Sequence, residues 1–245
     1  MGIRRGSIST PIIADGLIFN MDAANRASYV PNATQSLDTI NNISGSLYND
    51  TSFLSQPVSA SCWTFDGTDD RIGWGTYTAT AGPLNLDNLV DKTTFSVWAK
   101  IRNAGLILSG IYISSYLMFN TANRLIYVQY SDVPNASNSS LVLADTLSYI
   151  NDGDWHNIVA TQDGIVPKIY LNGNNLALAG SNNSISNGTA TSPRSSLGLP
   201  VNTIGARSNA GNAFNGEIAN VMIYNRTLSA NEVLHNYNAL KSRFT

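Results

Sequence analysis

The densest group of side chains with chemistry to offer is the stretch Asp66-Gly67-Thr68-Asp69-Asp70. Three carboxylates in one turn are hard oxygen donors, the kind that a calcium ion gathers together with carbonyls and amides. Asp66, Asp69 and Asp70 are therefore the candidate metal ligands. A simpler reading needs no ion: Asp66 shapes the turn with Gly67, while Asp69 and Asp70 are solvated or pair with Arg71. A second polar group, Asp152, Asp154 and His156, has the spacing of a bend at Asp152–Gly153 running into a strand, which accounts for it without a metal. Cys62 is the single cysteine, so no intrachain disulfide can form. Between Ser61 and Trp63 it reads as a small buried hydrophobe, and neither His156 nor His235 is placed as its base. Hydrolysis of a glycosidic bond needs two carboxyl groups flanking that bond. The glutamates are Glu217 and Glu232. The first belongs to a closing strand and the second to a helix cap, so no catalytic residue is assigned and no enzyme is expected. Trp74, Tyr77, Tyr112, Tyr116, Tyr127 and Tyr130 are aromatics that could stack on a sugar, although half-buried sheet positions explain them equally well.

The elements that would carry these groups are mostly strands. Gly16–Asp22 reads as a first strand, and residues 23–50 as a long turn-rich loop with short strands. Trp63–Phe65 is a strand that stops at Asp66–Gly67, a hairpin-type turn signal; Ile72 and Trp74 resume it. In Thr94–Ile101, period-two alternation puts Phe95, Val97, Ala99 and Ile101 on one face. Trp98 lies on the other face and should cover it. Leu106–Ile113, Tyr116–Phe119, Arg124–Tyr130 and a short Leu141–Leu143 follow, with one helical turn expected at Leu84–Leu89. Trp155–Thr161 leads to Lys168–Leu171 and then to Asn172–Gly173, the strongest hairpin signal in the chain. Gly180–Pro200 is a long Ser/Asn/Gly loop, and Thr203–Ala206 a short strand. Phe214–Val233 closes the domain with a strand through Ile218, Val221 and Ile223 and a polar turn. A helix then starts at Ser229, with Glu232 at capping-box spacing. Val233, Tyr237 and Leu240 share one helical face.

Composition narrows the function. Of the 245 residues, 43% are hydrophobic and only 12% charged, with a formal net charge of −2. No basic run extends beyond Arg4–Arg5, so nucleic acid is not an expected partner. The apolar runs are too short to span a bilayer. The N-terminal stretch has arginines but no apolar run after them, so no secretory signal is expected. The expected organisation is an extended N-terminal arm over residues 1–13, frayed or docked on a neighbouring subunit, and one all-β sandwich over residues 14–245.

Seven stretches in order carry a family likeness: GLIFNMDAAN at 16–25, FDGTDDRI at 65–72, TFSVWAKI at 94–101, DWHNIVAT at 154–161, KIYLNGN at 168–174, TIGAR at 203–207 and FNGEIANVMIYNRTLSANEV at 214–233. With them the chain resembles the laminin-G-like (LamG) domains of the concanavalin A-like lectin/glucanase superfamily. The resemblance implies an antiparallel two-sheet jelly roll with a short C-terminal helix. Hydrolases of that superfamily carry an E-x-D-x-x-E strand, which this sequence lacks. Calcium at the sandwich rim is implied as a possible cofactor through Asp66, Asp69 and Asp70, although Ala219 and Asn220 stand where many relatives have an acid. The opening strand is similar to stand-alone domains of tailed-phage and other virus structural proteins. That likeness implies a surface-displayed virion subunit, a capsid decoration or tail-fibre component assembled in the host cytoplasm. Its partners would be other virion proteins, further copies of itself and glycans. A lectin-like adhesion module outside cells or on their surface is the alternative.

Overall fold

A computed structural model describes residues 11–55, 60–74, 92–110, 115–120, 124–129, 140–145, 150–163, 168–176, 201–207 and 211–244. In chain order the strands are β1 (Leu17–Asp22), β2 (Gln35–Leu37), β3 (Ser44–Tyr48), β4 (Ser52–Leu54), β5 (Cys62–Asp66), β6 (Arg71–Gly73), β7 (Thr93–Asn103) and β8 (Gly105–Gly110). They continue with β9 (Ser115–Asn120), β10 (Arg124–Gln129), β11 (Ser140–Asp145), β12 (Trp155–Gln162), β13 (Lys168–Leu171), β14 (Asn174–Asn175), β15 (Val201–Ile204) and β16 (Asn215–Tyr224). Helix α1 (Ala230–Leu240) and a 3-10 turn, Lys241–Arg243, follow. Among the described residues no helix is long and apolar enough to cross a membrane.

The strands form two antiparallel sheets. The first runs β14-β13-β12-β7-β16-β5-β4, with β1 also paired to β16; the second runs β11-β10-β9-β8-β15-β6-β3-β2. The core between them takes the face expected of β7 (Phe95, Val97, Ala99, Ile101). Trp63, Phe65, Ile158, Ile169, Phe19 and Met21 join it from the same sheet, and Ile72, Ile107, Leu108, Leu125 and Ile204 from the other. Strand β16 sends Ile218, Val221 and Ile223 into this core, a spacing that strict alternation forbids. A register shift between Ile218 and Asn220 resolves it. The extra residue of a β-bulge resets which face the following side chains take.

The outer face of the first sheet is covered by the C-terminal segment. Val159, Tyr170, Met222 and Tyr224 pack with Leu228 and Val233. Trp98 covers this face as expected: it is 2% exposed and stacks with Tyr237 at 5.6 Å and Phe244 at 4.2 Å between ring centroids. Trp155 lies partly exposed on this outer face beside Phe244, at 5.1 Å. Its position follows from register, because it pairs with Lys100, which alternation turns outward. Helix α1 begins with the expected capping box, Ser229 and Glu232 each satisfying a backbone N–H of the other. Residues 11–13 are tied to the same helix. The Ile13 N–H donates to Asn236 Oδ1 at 2.8 Å, and the Tyr224 hydroxyl donates to the Ile13 carbonyl at 3.0 Å.

The Asn172–Gly173 turn joins β13 to β14, with φ of 51° and 80° at its two central residues, as a type I′ hairpin requires. The Asp66–Gly67 turn behaves differently. Strands β5 and β6 are not a hairpin; β5 belongs to the first sheet and β6 to the second. The Gly still supplies a positive φ, 87°, but it is used to carry the chain across the sandwich. The expected short strand at Leu141–Leu143 runs longer, over Ser140–Asp145. The helical turn expected at Leu84–Leu89 and the loop Gly180–Pro200 lie outside the described residues.

Gly205 combines φ of +92° with a built Cβ position only 2.4 Å from the Phe65 ring, whereas Gly153 has φ of +87° and open space. Gly205→Ala should lower unfolding stability by about 2 kcal/mol or more, and Gly153→Ala by only about 1 kcal/mol. Urea midpoints at constant m value measure both; equal losses would mean that the approach to Phe65 constrains nothing.

Candidate metal centre

Several connections cross between the sheets near the acidic turn. Residues 67–70 lead from β5 to β6, and residues 49–51 lead from β3 to β4. The segment from Gly205 to Phe214 crosses from β15 to β16 and is held by the Phe214 N–H donating to the Gly205 carbonyl at 2.6 Å. Side chains knit these crossings together. Asn49, at φ 58°, donates through Nδ2 to the Asp69 carbonyl at 2.7 Å. Asn215 Nδ2 donates to the Asp66 carbonyl at 2.8 Å, and the Thr51 hydroxyl donates to the Tyr48 carbonyl at 2.7 Å.

Within this frame the three aspartates converge. Asp66, Asp69 and Asp70 each offer a carboxylate oxygen, all within 4.8 Å of one another. Asp66 Oδ1 accepts from the Thr68 N–H at 2.7 Å, the Asx turn that short polar side chains make. Asp70 is 2% exposed. Its Oδ2 accepts from the Asp66 N–H at 2.9 Å, while Oδ1 has no hydrogen-bond partner. Burial pushes the Asp70 carboxyl above the usual carboxylate range, against the pull of the Asp66 N–H, and the negative charges of Asp66 and Asp69 push the same way. The Asp50 N–H adds a weaker opposing pull from beyond hydrogen-bond geometry. Arg71 makes no ion pair with the cluster among the described residues; its guanidinium lies 4.2 Å over the Tyr48 ring. A buried carboxylate oxygen without a donor, beside two further carboxylates, is a donor set suited to a hard cation.

The second polar group closes on itself. His156 Nε2 lies 3.1 Å from Asp152 Oδ1, and its Nδ1 lies 3.2 Å from Asn172 Nδ2. The Asp154 N–H also donates to Asp152 Oδ1, at 2.8 Å. Burial opposes ionisation of Asp152, but these two donors outweigh it and hold the carboxyl below its usual range. Both ring nitrogens are engaged in locking the β12–β13 corner, so the group has a structural account.

The glutamates are engaged as well. Glu217 is 5% exposed and pairs through Oε1 with Arg102. Glu232 receives Arg226 Nη2 at 2.7 Å and the Ser229 N–H at 2.8 Å. Cys62 is 1% exposed, and burial pushes its thiol up to about 12, with the Glu217 charge adding to the rise, so no thiolate is available at neutral pH. Of the aromatics proposed for stacking, Trp74 is 2% exposed and packs on Phe19 at 5.1 Å, inside the core. Tyr77, Tyr112 and Tyr130 lie outside the described residues, while Tyr116 and Tyr127 sit on β9 and β10. Sequence reasoning missed Tyr48, 38% exposed beside the acidic turn. The neighbouring Asn49-Asp50, a turn-forming pair, was the available signal.

The laminin-G-type family model described as concanavalin A-like lectin/glucanases superfamily matches residues 73–234. No curated protein sequence matches the chain. Solved structures match in fold. A Trypanosoma rangeli sialidase in complex with sialic acid superposes with a TM-score of 0.63 at 16% identity, covering 98% of this chain and 37% of that one. The binding domain of Paraclostridial Mosquitocidal Protein 1 gives 0.62 at 12% identity, covering 91% of this chain and 52% of that one. The binding domain of botulinum neurotoxin serotype D/C gives 0.61 at 14% identity, covering 92% and 52%. The chain thus spans about a third of the sialidase chain and half of each toxin binding domain, and the likeness is one of fold.

The Glu232 carboxyl is held down at about 2, against an ordinary 4.5, first by Arg226 and then by the Ser229 N–H. A depressed folded-state value stabilises above the ordinary value and loses that contribution as pH falls toward 2. Glu232→Gln should therefore be less stable than wild type at pH 7, and the gap should close between pH 4.5 and 2 in chemical denaturation followed by tryptophan fluorescence. A pH-independent gap would remove the ion pair as its source.

Proposed function

The chain belongs to the concanavalin A-like lectin/glucanase superfamily, and from that premise we propose that it is a non-catalytic jelly-roll subunit displayed on a virion, where it binds glycans. The observation that carries the binding role is the scale of the structural match. A fold that fills this chain is only a part of larger proteins, two of them titled as binding domains of toxins and one as a sialidase with sialic acid bound. A sandwich that recurs as an attached unit suits recognition on a larger body. The chemistry agrees: Glu217 is paired to Arg102, and Glu232 to Arg226 and the helix cap. Neither is poised as a general acid or a nucleophile. Display on a capsid or tail is supported by the likeness of GLIFNMDAAN at 16–25 to virus structural domains and by a composition poor in charge, with 12% charged residues. A lectin-like adhesion module outside a virion is the second reading, favoured by the toxin binding domains.

The test is a glycan array probed with the whole chain, followed by incubation of the retained glycans and mass spectrometry of purified particles. A defined glycan class should be retained and recovered uncleaved, and the chain should be found in the particles. Absence from particles with retained binding would leave the adhesion module in place of the virion subunit. Cleavage that Glu217→Gln abolishes would replace both with a hydrolase.

A further inference from the structure

We propose that the outer face of the first sheet, beyond the end of helix α1, binds a carboxylate-bearing sugar, a uronate unit of a glycan, through Lys100, Arg102 and Trp155. The inference rests on the glycan reading above and gives it a place and a chemical class. One row of side chains crosses five strands here. Ser52 on β4, Thr64 on β5, Glu217 on β16, Lys100 on β7 and Trp155 on β12 are successive cross-strand partners. Strands in a sheet lie about 4.8 Å apart, so the row is roughly 19 Å long, enough for more than one pyranose ring. Arg102 reaches Glu217 on the same face, about 7 Å along β7 from Lys100. Ser52 and Arg102 are exposed, and Thr64, Lys100 and Trp155 are half-buried. The row is therefore open to solvent, unlike the neighbouring Trp98, which the C-terminal segment covers.

Two cations share one carboxylate in this patch. Glu217 is 5% exposed, and its Oε1 takes Arg102 Nη2. Its Oε2 has no hydrogen-bond partner among the described residues, so the carboxylate depends on Arg102 and holds it at this spot. One guanidinium nitrogen is thereby fixed, yet the Arg102 side chain is 53% exposed, so the rest of its planar fork faces water. Arginine binds a carboxylate through two parallel N–H bonds, which orient the ligand as well as attract it. Lys100 has no ion pair among the described residues; its Nζ lies 5.5 Å from the centre of the Trp155 ring. The patch thus carries one surplus positive charge in a chain whose formal net charge is −2. A single carboxylate placed between Lys100 and Arg102 balances it. The indole offers an apolar wall to the C–H face of a sugar ring, and Phe244, 5.1 Å away, packs against it. Further along the row the hydroxyls of Ser52 and Thr64, 2.5 Å apart, can donate to and accept from sugar hydroxyls. The surroundings disfavour denser anions. Asp154 directly precedes Trp155, and Asp66 pairs with Asn215, itself the partner of Asn103 next to Arg102. A heavily sulfated chain would be repelled there, whereas one carboxylate matches the two cations.

The experiment is calorimetric titration of the full chain with tetragalacturonate and with a hyaluronan tetrasaccharide, beside their methyl esters and dextran sulfate. Wild type should bind at least one of the two uronates, and the matching methyl ester roughly tenfold more weakly. Lys100→Gln should weaken the uronate by a similar factor and leave Tm unchanged, since Lys100 holds no ion pair among the described residues. Arg102→Lys keeps a cation for Glu217 but loses the planar fork, and it should weaken binding as well. Lys168→Gln makes the same change of charge at an exposed position on β13 and should bind like wild type. Equal binding of acid and ester, full binding by Lys100→Gln, an equal loss in Lys168→Gln, or preference for dextran sulfate would overturn the assignment. Retention of neutral glycans on the array with neither uronate bound would overturn it too, while leaving glycan binding in place. An array with no retained glycan would overturn both.

Discussion

Strand β16 carries β7 along one edge, and along the other it carries β5 at Asn215–Ile218 and β1 at Asn220–Tyr224. Buried backbone groups must be paired, so a central strand with two partners on one edge needs a joint between them. The bulge at Ala219 is that joint. It falls where β5 ends and β1 begins, and it lets Ile218 and Val221 both face the core across an odd spacing. It also turns Ala219 outward under Trp98, where a small side chain leaves room for the indole to lie flat against Phe244 and Tyr237. One inserted residue thus decides the pairing of the first sheet, the continuity of the core and the seat of the C-terminal segment.

That seat explains why the outer face of the first sheet is largely closed. Helix α1 and the 3-10 turn lie across it, and Arg243 reaches back to both oxygens of Asp22 on β1 at 2.7 Å. The pair is mostly shielded, with side chains 16% and 14% exposed. A partly buried, two-pronged contact of this kind is geometrically specific. Residues 11–13 complete the cover by bonding to Asn236 and Tyr224. The polar row left at the far end, Thr64, Glu217 and Lys100, is cross-paired within the sheet.

The features legible in the sequence were those set by neighbours in the chain. The Asn172–Gly173 hairpin and the Ser229–Glu232 cap are decided within a few residues, and period two was enough to assign both faces of β7. The fold itself was readable because seven such stretches stood in one order. What could not be read depends on partners far along the chain. Asp66–Gly67 has the residues of a hairpin turn, but whether the next strand pairs back or crosses over is settled by β3 and β15, which receive β6. Trp74 and Tyr48 traded places for the same reason. An aromatic at the edge of a turn is exposed or buried according to its long-range partners: Phe19 of the other sheet packs on Trp74, whereas Tyr48 carries Arg71, its cross-strand neighbour in the same sheet.

Crossovers also explain why polar chemistry gathers at one rim. A chain passing between sheets leaves its backbone groups without a ladder, and short polar side chains must satisfy them. Asn49, Thr51, Asp66, Asp70 and Asn215 do so here. Once aspartates are recruited to cap N–H groups, their second oxygens point somewhere. In Asp70 that oxygen is buried, with no hydrogen-bond partner among the described residues. A turn built to carry the chain across the sandwich therefore produces, as a by-product of its own hydrogen bonding, a carboxylate set with unfilled acceptor capacity. Among the described residues the other buried carboxylate oxygen without a hydrogen-bond partner is Glu217 Oε2, on β16 of the first sheet, whose Oε1 is held by Arg102.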